Sequence, residues 1–239
     1  MIHEIDIWMA PMPIPSTHGF TGSSTAVGAA WRREQQHLAS TLLRRHALSE
    51  TVAFTVAPET WKFVEGRRGK PTVDVDKGLP EIFFNCAHAE DVVAVAASRS
   101  CMLGLDLERS SQTLQLDVTL FLSPKEQQWL NEMSMLERNE SLLRLWTLKE
   151  AYTKLTGQGL SMDVSTIGFS LEPLGIVEGT RPNETIHLTH QCITQFQRPY
   201  YLSLASQCYP FDSIRCTYHF LDKQWELYDT DTKKCDYRY

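Results

Sequence analysis

Two carboxylates two residues apart, Asp106 and Glu108 in "LGLDLERS", interrupt a segment that otherwise reads as an apolar strand. Side chains at i and i+2 of a strand share a face, so both acids project together while Leu105 and Leu107 fill the opposite side. Two ionised carboxylates this close repel. A hard divalent cation relieves the repulsion, because it takes oxygen ligands and combines one or two carboxylates with substrate phosphates. A strand edge in water with Arg109 as counter-charge would relieve it as well, and the pair alone does not choose between the two.

Three further stretches could carry chemistry. In "LWTLKEAYTK" a helix would place Trp146, Glu150 and Lys154 in one row, with Lys149 beside it. Trp146 argues that this row is partly buried, where a Glu and a Lys need partners such as a cation and a phosphate. In "FFNCAH", Phe83, Asn85 and Ala87 alternate with Phe84, Cys86 and His88 on the two strand faces. In "RRGKP", residues 67–71, a turn carries three cations and a Gly whose backbone can approach a ligand. Taken singly, each has an ordinary structural reading: a surface ion pair, a hydrogen-bonded histidine, a solvated basic loop.

The elements that must position these residues follow from periodicity. "EIDIWM" alternates as a strand does, and the stretch from Ala10 to Ala30, dense in Pro, Gly, Ser and Thr, reads as loop. From Trp31, "WRREQQHLASTLLRRHAL" has helical spacing, with Arg32, Arg33, Arg44 and Arg45 available to face outward. "EIFFNCAH", "DVVAVAAS" and "CMLGLDLE" are closely spaced strands. "SPKEQQWLNEM" opens with a capping box of Ser123 and Glu126 around Pro124, and "ERNESLLRLWTLKEAYTKLTG" is a long helix ended at Gly157. Beyond residue 164 the signals are strands, among them "VSTIGFSLE", "ETIHLTHQCI", "YYLSLASQC", "SIRCTYHFL" and "QWELYD". Each half reads as helix plus sheet, an α+β pattern, with halves 1–99 and 100–239.

The chain has 239 residues and a net charge of −6, which disfavours a general nucleic-acid binder. The first residues lack the basic start and apolar core of a secretory signal, and no segment is apolar enough to span a bilayer; a cytoplasmic protein without membrane contact is the expectation. Six cysteines form no C-x-x-C pair, and they are expected to be reduced packing residues rather than a disulfide frame or a zinc site.

In order, the motifs run GKP, FN-x-x-H, G-x-D-x-E and W-x-x-K-E-A-x-x-K-x-x-G. This order and spacing, from about Trp31 to Leu160, resembles the 4′-phosphopantetheinyl transferases of the surfactin-synthetase type. The resemblance implies a pseudo-dimer of two similar α+β halves, acting as a monomer, with the active site in the cleft between them. It implies transfer of the phosphopantetheine arm from coenzyme A to a serine of an apo acyl, peptidyl or aryl carrier protein, releasing 3′,5′-ADP. It assigns Mg²⁺, or Mn²⁺ in its place, to Asp106, Glu108 and Glu150, with Glu150 as base toward the carrier serine. Lys154 then stabilises the transferred phosphate and serves the leaving group, and Lys149 makes a second phosphate contact. His88 contacts the 3′-phosphate, and Arg68, Gly69, Lys70 and Pro71 line the adenine side. The carrier is expected to dock on residues 110–122 through Leu114 and Leu116. Ala87 stands where the family often has Ser, which keeps open a non-catalytic relative that binds coenzyme A or a carrier protein.

Overall fold

The computed structural model describes residues 2–12, 26–66, 69–111, 114, 117–159, 162–179, 186–208 and 213–221, with the side chains of 26–32, Thr119 and Ser213 left aside. Strand β1 (Ile2–Pro11) precedes helix α1 (Ala26–Thr51), and a short hairpin follows, β2 (Phe63–Glu65) and β3 (Pro71–Val73). Then come β4 (Phe83–Ala89), β5 (Val92–Ser98) and β6 (Cys101–Arg109). Helices α2 (Pro124–Asn131) and α3 (Met135–Thr156) are followed by β7 (Gly168–Leu171), β8 (Leu174–Glu178), β9 (His187–Gln195), β10 (Arg198–Cys208) and β11 (Ser213–Phe220). Among the described residues the architecture is a mixed α+β fold of several sheets and three α-helices.

One sheet has the order β11-β1-β5-β4 and a second the order β6-β10-β9. Strand β5 is buried on both faces, which explains its unbroken apolar run. Its Val92, Ala94 and Ala96 meet Leu103, Leu105 and Leu107 of β6 and Leu202 and Leu204 of β10 in a core shared by the two sheets. Its Val93, Val95 and Ala97 meet Leu43, Ala47 and Leu48 of α1. Helices α2 and α3 bury Leu130, Leu145 and Leu148 against Ile167 and Phe169. No helix among the described residues is long and apolar enough to cross a membrane.

Local signals set the helix ends. Ser123 and Glu126 form the expected capping box of α2, and α3 ends at Gly157 with φ 64°. Helix α3 starts earlier than the apolar periodicity suggests, because Ser134 and Glu137 form a second capping box. Helix α1 likewise starts at Ala26, inside the stretch expected to be loop. The expected strand at "QWELYD" lies outside the described residues.

Two sequence expectations are corrected. Strand β11, expected with the second half, pairs in parallel with β1 across Ile2↔Ser213 to Met9↔Phe220, joining the first-half sheet. Cys101 and Cys208, expected as reduced packing residues, are joined in a disulfide. They stand directly opposite in the β6–β10 register, a pairing of residues 107 apart in sequence that no local spacing announces. Cys86, Cys192 and Cys216 are free thiols.

Candidate active site

The site begins with a close approach. At Gly104 an added Cβ would lie 1.9 Å from the carbonyl oxygen of Ala151 and 2.3 Å from the Leu155 nitrogen, so α3 rests directly on β6. Two residues on, and on the same strand face, Asp106 meets Lys154 of that helix at 2.6 Å. Gly104→Ala is therefore expected to force the helix off the strand and cost about 2–3 kcal/mol, measured as a shift of the urea midpoint. Activity should fall beyond the loss of folded protein, because Lys154 and Glu150 ride on the displaced helix.

Asp106 is buried, and its Oδ2 has no hydrogen-bond partner. Burial pushes its carboxyl above the ordinary carboxylate range, against the pull of the Lys154 ammonium. Glu108, on the same face, accepts from the Trp146 indole N–H at 3.3 Å. Burial first, then the nearby Asp106 charge, pushes Glu108 up to about 7. Burial and Asp106 raise Glu150 as well. Three carboxylates thus share one partly desolvated space, and each disfavours ionisation of its neighbours. Lys154 supplies the cation on Asp106, and the three acids do not close to within 4.8 Å of one another. The donor set is hard oxygen with one buried atom unpartnered, which fits a magnesium-like ion.

A pH dependence follows for metal-free protein. Glu108 has a folded pKa raised above its unfolded 4.5, so the folded state holds the extra proton between 4.5 and about 7. Its contribution to stability is complete below 4.5 and is lost as pH rises through about 7. In chelator the melting temperature should decline across that window, and Glu108→Gln should flatten the decline.

Opposite the carboxylates stand residues of the first half. Strand β6 is an edge strand, and two side chains complete its edge: Asn85 Oδ1 accepts from the Leu105 N–H at 2.8 Å, and Lys70 Nζ donates to the Leu103 carbonyl at 2.6 Å. Lys70 also donates to the carbonyl of Lys154 at 2.8 Å, and desolvation lowers its pKa to about 8. It therefore links the β2–β3 hairpin to both β6 and α3. His88 lies within electrostatic reach of Lys154 and Asp106, and desolvation and Lys154 lower its pKa. Cys86, on the same face of β4, feels Arg44, Lys154 and Lys70.

The expected site residues divide accordingly. Asp106, Glu108, Glu150, Lys154, Lys70 and His88 come together. Gly69, at φ 84°, and Pro71, opposite Glu65, are exposed on the hairpin, and Arg68 lies outside the described residues. Lys149 does not reach this space: it is 1% exposed and ion-paired to Glu126 at 2.9 Å, because residue 149 falls on the helix side that packs on α2 and β7. Ala87 faces the inter-sheet core, away from His88. Leu114 packs partly into the core around α3 instead of standing free, and Leu116 is outside the described residues.

Three participants escaped the sequence reading in their roles. Trp146, read in the sequence as the sign of a partly buried helix row, also donates to Glu108. Asn85 and Lys70 act through backbone groups that only the sheet order identifies. Of the arginines expected to face outward on α1, Arg44 turns inward, its guanidinium 4.0 Å over the Phe63 ring and close to Cys86, whereas Arg45 holds the carbonyls of Pro58 and Glu59.

Comparison with known proteins agrees with this geometry. Residues 102–207 match the 4'-phosphopantetheinyl transferase superfamily. A Synechocystis sp. protein provisionally assigned as a 4'-phosphopantetheinyl transferase is 29% identical over 171 residues, 67% of this chain and 68% of that protein. The 4'-phosphopantetheinyl transferase HetI of Nostoc sp. is 31% identical over 108 residues, covering 44% of this chain and 46% of HetI. The 4'-phosphopantetheinyl transferase gsp of Aneurinibacillus migulanus is 29% identical over 132 residues, 54% and 51% of the two chains. The chain thus spans about half the length of the last two. The matched region is the one that carries Asp106, Glu108, Glu150 and Lys154, and over residues 102–207 the chain is similar to the 4'-phosphopantetheinyl transferase superfamily.

Proposed function

We propose that this chain transfers the 4′-phosphopantetheine arm of coenzyme A to a serine of an apo carrier protein and releases 3′,5′-ADP. One observation carries the reading: three carboxylates and Lys154, on β6 and α3, gather with the His88 imidazole of β4 and the Lys70 ammonium of the hairpin, and the Arg44 guanidinium lies beside Cys86 on the His88 face of β4. Phosphoryl transfer asks a protein for positioning and charge neutralisation more than for covalent chemistry, and this arrangement offers both. Asp106, Glu108 and Glu150 would hold Mg²⁺ or Mn²⁺, which on binding would neutralise pyrophosphate charge.

The chain's own groups divide the work. Glu150, its carboxyl raised by burial and by Asp106, would take the proton of the carrier serine. Lys154 bears on charge that develops on the transferred phosphate and on the leaving oxygen. Arg44 and His88 form the wall suited to the 3′-phosphate, and the β2–β3 hairpin with Gly69, Lys70 and Pro71 flanks the adenine. We further propose that the two halves, 1–99 and 100–239, with β11 of the second joined to the sheet of the first, form the walls of a cleft within one monomer. Leu120, 72% exposed in the segment before α2, is the apolar contact offered to the carrier.

Incubation of the full chain with a panel of apo carriers, coenzyme A and Mg²⁺, read by intact mass, tests the proposal. The expected result is a gain of one phosphopantetheine arm on at least one carrier, abolished by chelator. Saturable coenzyme A binding without modification of any carrier would instead favour a non-catalytic relative.

A further inference from the structure

Away from the carboxylates, at the margin of the core between the two sheets, three strands bring soft ligands together. His3 of β1, Cys101 at the start of β6 and Cys208 at the end of β10 are all buried, and one ligand atom from each lies within 4.8 Å of the others. The two sulfurs are joined as a disulfide in this structure, on Cα atoms 4.4 Å apart. His3 Nδ1 is hydrogen-bonded to Ser100 Oγ at 2.8 Å, and Ser100 Oγ is 3.7 Å from the Cys101 sulfur. An oxygen partner on a ring nitrogen is what orients a metal-binding imidazole.

We propose that Cys101, Cys208 and His3 form a redox-gated zinc site: the dithiol form binds Zn²⁺, and the disulfide form excludes it. Two thiolates and an imidazole are the ligand types zinc selects, with water completing a tetrahedron. The geometry asks for a local change only. Sulfurs sharing one zinc stand about 3.8 Å apart, as follows from Zn–S bonds of about 2.3 Å in a tetrahedron. Breaking the S–S bond allows that separation by rotation of two side chains on strands whose register already places them opposite.

The chemistry balances with one named reactant. A dithiol reductant transfers two electrons and two protons to the Cys101–Cys208 disulfide, yielding two thiols and the reductant's own disulfide. Zinc then displaces both thiol protons as it binds. The site touches both sheets, because His3 belongs to the β1 sheet and the cysteines to the β6–β10 pair. Zinc would therefore replace the β6–β10 crosslink with a clip that also holds β1, five residues along β6 from Asp106.

The test uses the full chain, reduced with dithiothreitol and freed of reductant without oxygen, then loaded with zinc and desalted. Reduced protein is expected to retain one zinc equivalent more than oxidised protein and more than the reduced Cys208→Ser variant. Cobalt in place of zinc should give a thiolate-to-metal charge-transfer band that His3→Ala weakens. Equal zinc retention by the oxidised and reduced wild-type chains would overturn the proposal without recourse to any variant. Retention by reduced Cys208→Ser equal to that of the reduced wild type would overturn it too, by placing the metal at other ligands.

Discussion

Replacing Asp106 by Asn is expected to slow modification of a carrier protein by roughly a thousandfold or more, several kcal/mol in the barrier, while leaving the fold intact. Asn keeps the volume of Asp and an oxygen that can accept from Lys154, so the 2.6 Å contact has a neutral successor. What disappears is the charge at the centre of the site. Burial and then the Asp106 charge raise both Glu108 and Glu150, and the Asp106 Oδ2 is buried without a partner. With the charge gone, Glu108 should titrate lower, and affinity for Mg²⁺ should drop because one hard anionic ligand is missing. Two measurements check this together: intact mass of the carrier against time, and a magnesium titration of the rate. A variant that modifies carrier at near the original rate in the presence of chelator would remove Asp106 from the proposed metal set. Lys154→Ala provides the complementary case. It leaves the desolvation of Asp106 unopposed by its ion-pair partner, so the carboxyl should rise further and the acidic limb of the rate profile should move to higher pH.

The parts of this site legible in the sequence are those whose geometry is fixed by short-range rules. The i, i+2 rule put Asp106 and Glu108 on one face, and the helical row put Glu150 and Lys154 where α3 could meet them. Capping boxes and Gly157 defined α2 and the end of α3 for the same reason: each is a contact between residues a few positions apart. What could not be read depends on which elements become neighbours. Gly104 looked like one more residue of a motif, and its meaning, the near contact of α3 with β6, exists only after packing. Asn85 and Lys70 work by closing the edge of β6, and nothing local marks β6 as an edge strand. The parallel pairing of β11 with β1 joins residues more than 200 apart, and the disulfide joins strands brought together by sheet order. Lys149 was misread because neighbouring helix positions point about 100° apart. One step along α3 from Glu150 is enough to leave the carboxylate space for the core.

That burial makes Lys149→Met a prediction about stability rather than substrate. Lys149 and Glu126 are each 1% exposed at the side chain and ion-paired at 2.9 Å. The ammonium also donates to the carbonyls of Val164, at 3.0 Å, and Ile167. Glu126 in turn accepts from the backbone N–H of Ser123 at 2.7 Å and of Phe169 at 2.8 Å. Two side chains thus fasten α2, α3 and β7 to one another. Methionine fills the space of the lysine stem but leaves a buried carboxylate without its cation and two carbonyls without a donor. Removal of one partner from a buried pair costs about 3–5 kcal/mol, and urea unfolding should show a loss of that size. The double variant Lys149→Met, Glu126→Gln should recover part of it, because a neutral amide can still accept from Phe169 and no unpaired charge remains. Coupling of about 0.5–3 kcal/mol between the two changes is expected. Strict additivity would show that the pair is not an energetic unit. A phosphate-contact role predicts the opposite pattern, a raised KM for coenzyme A with an unchanged urea midpoint. Because Glu150 follows Lys149 directly in α3, any residual activity of the folded variant should fall in kcat, through misplacement of the carboxylate, with KM for coenzyme A little changed.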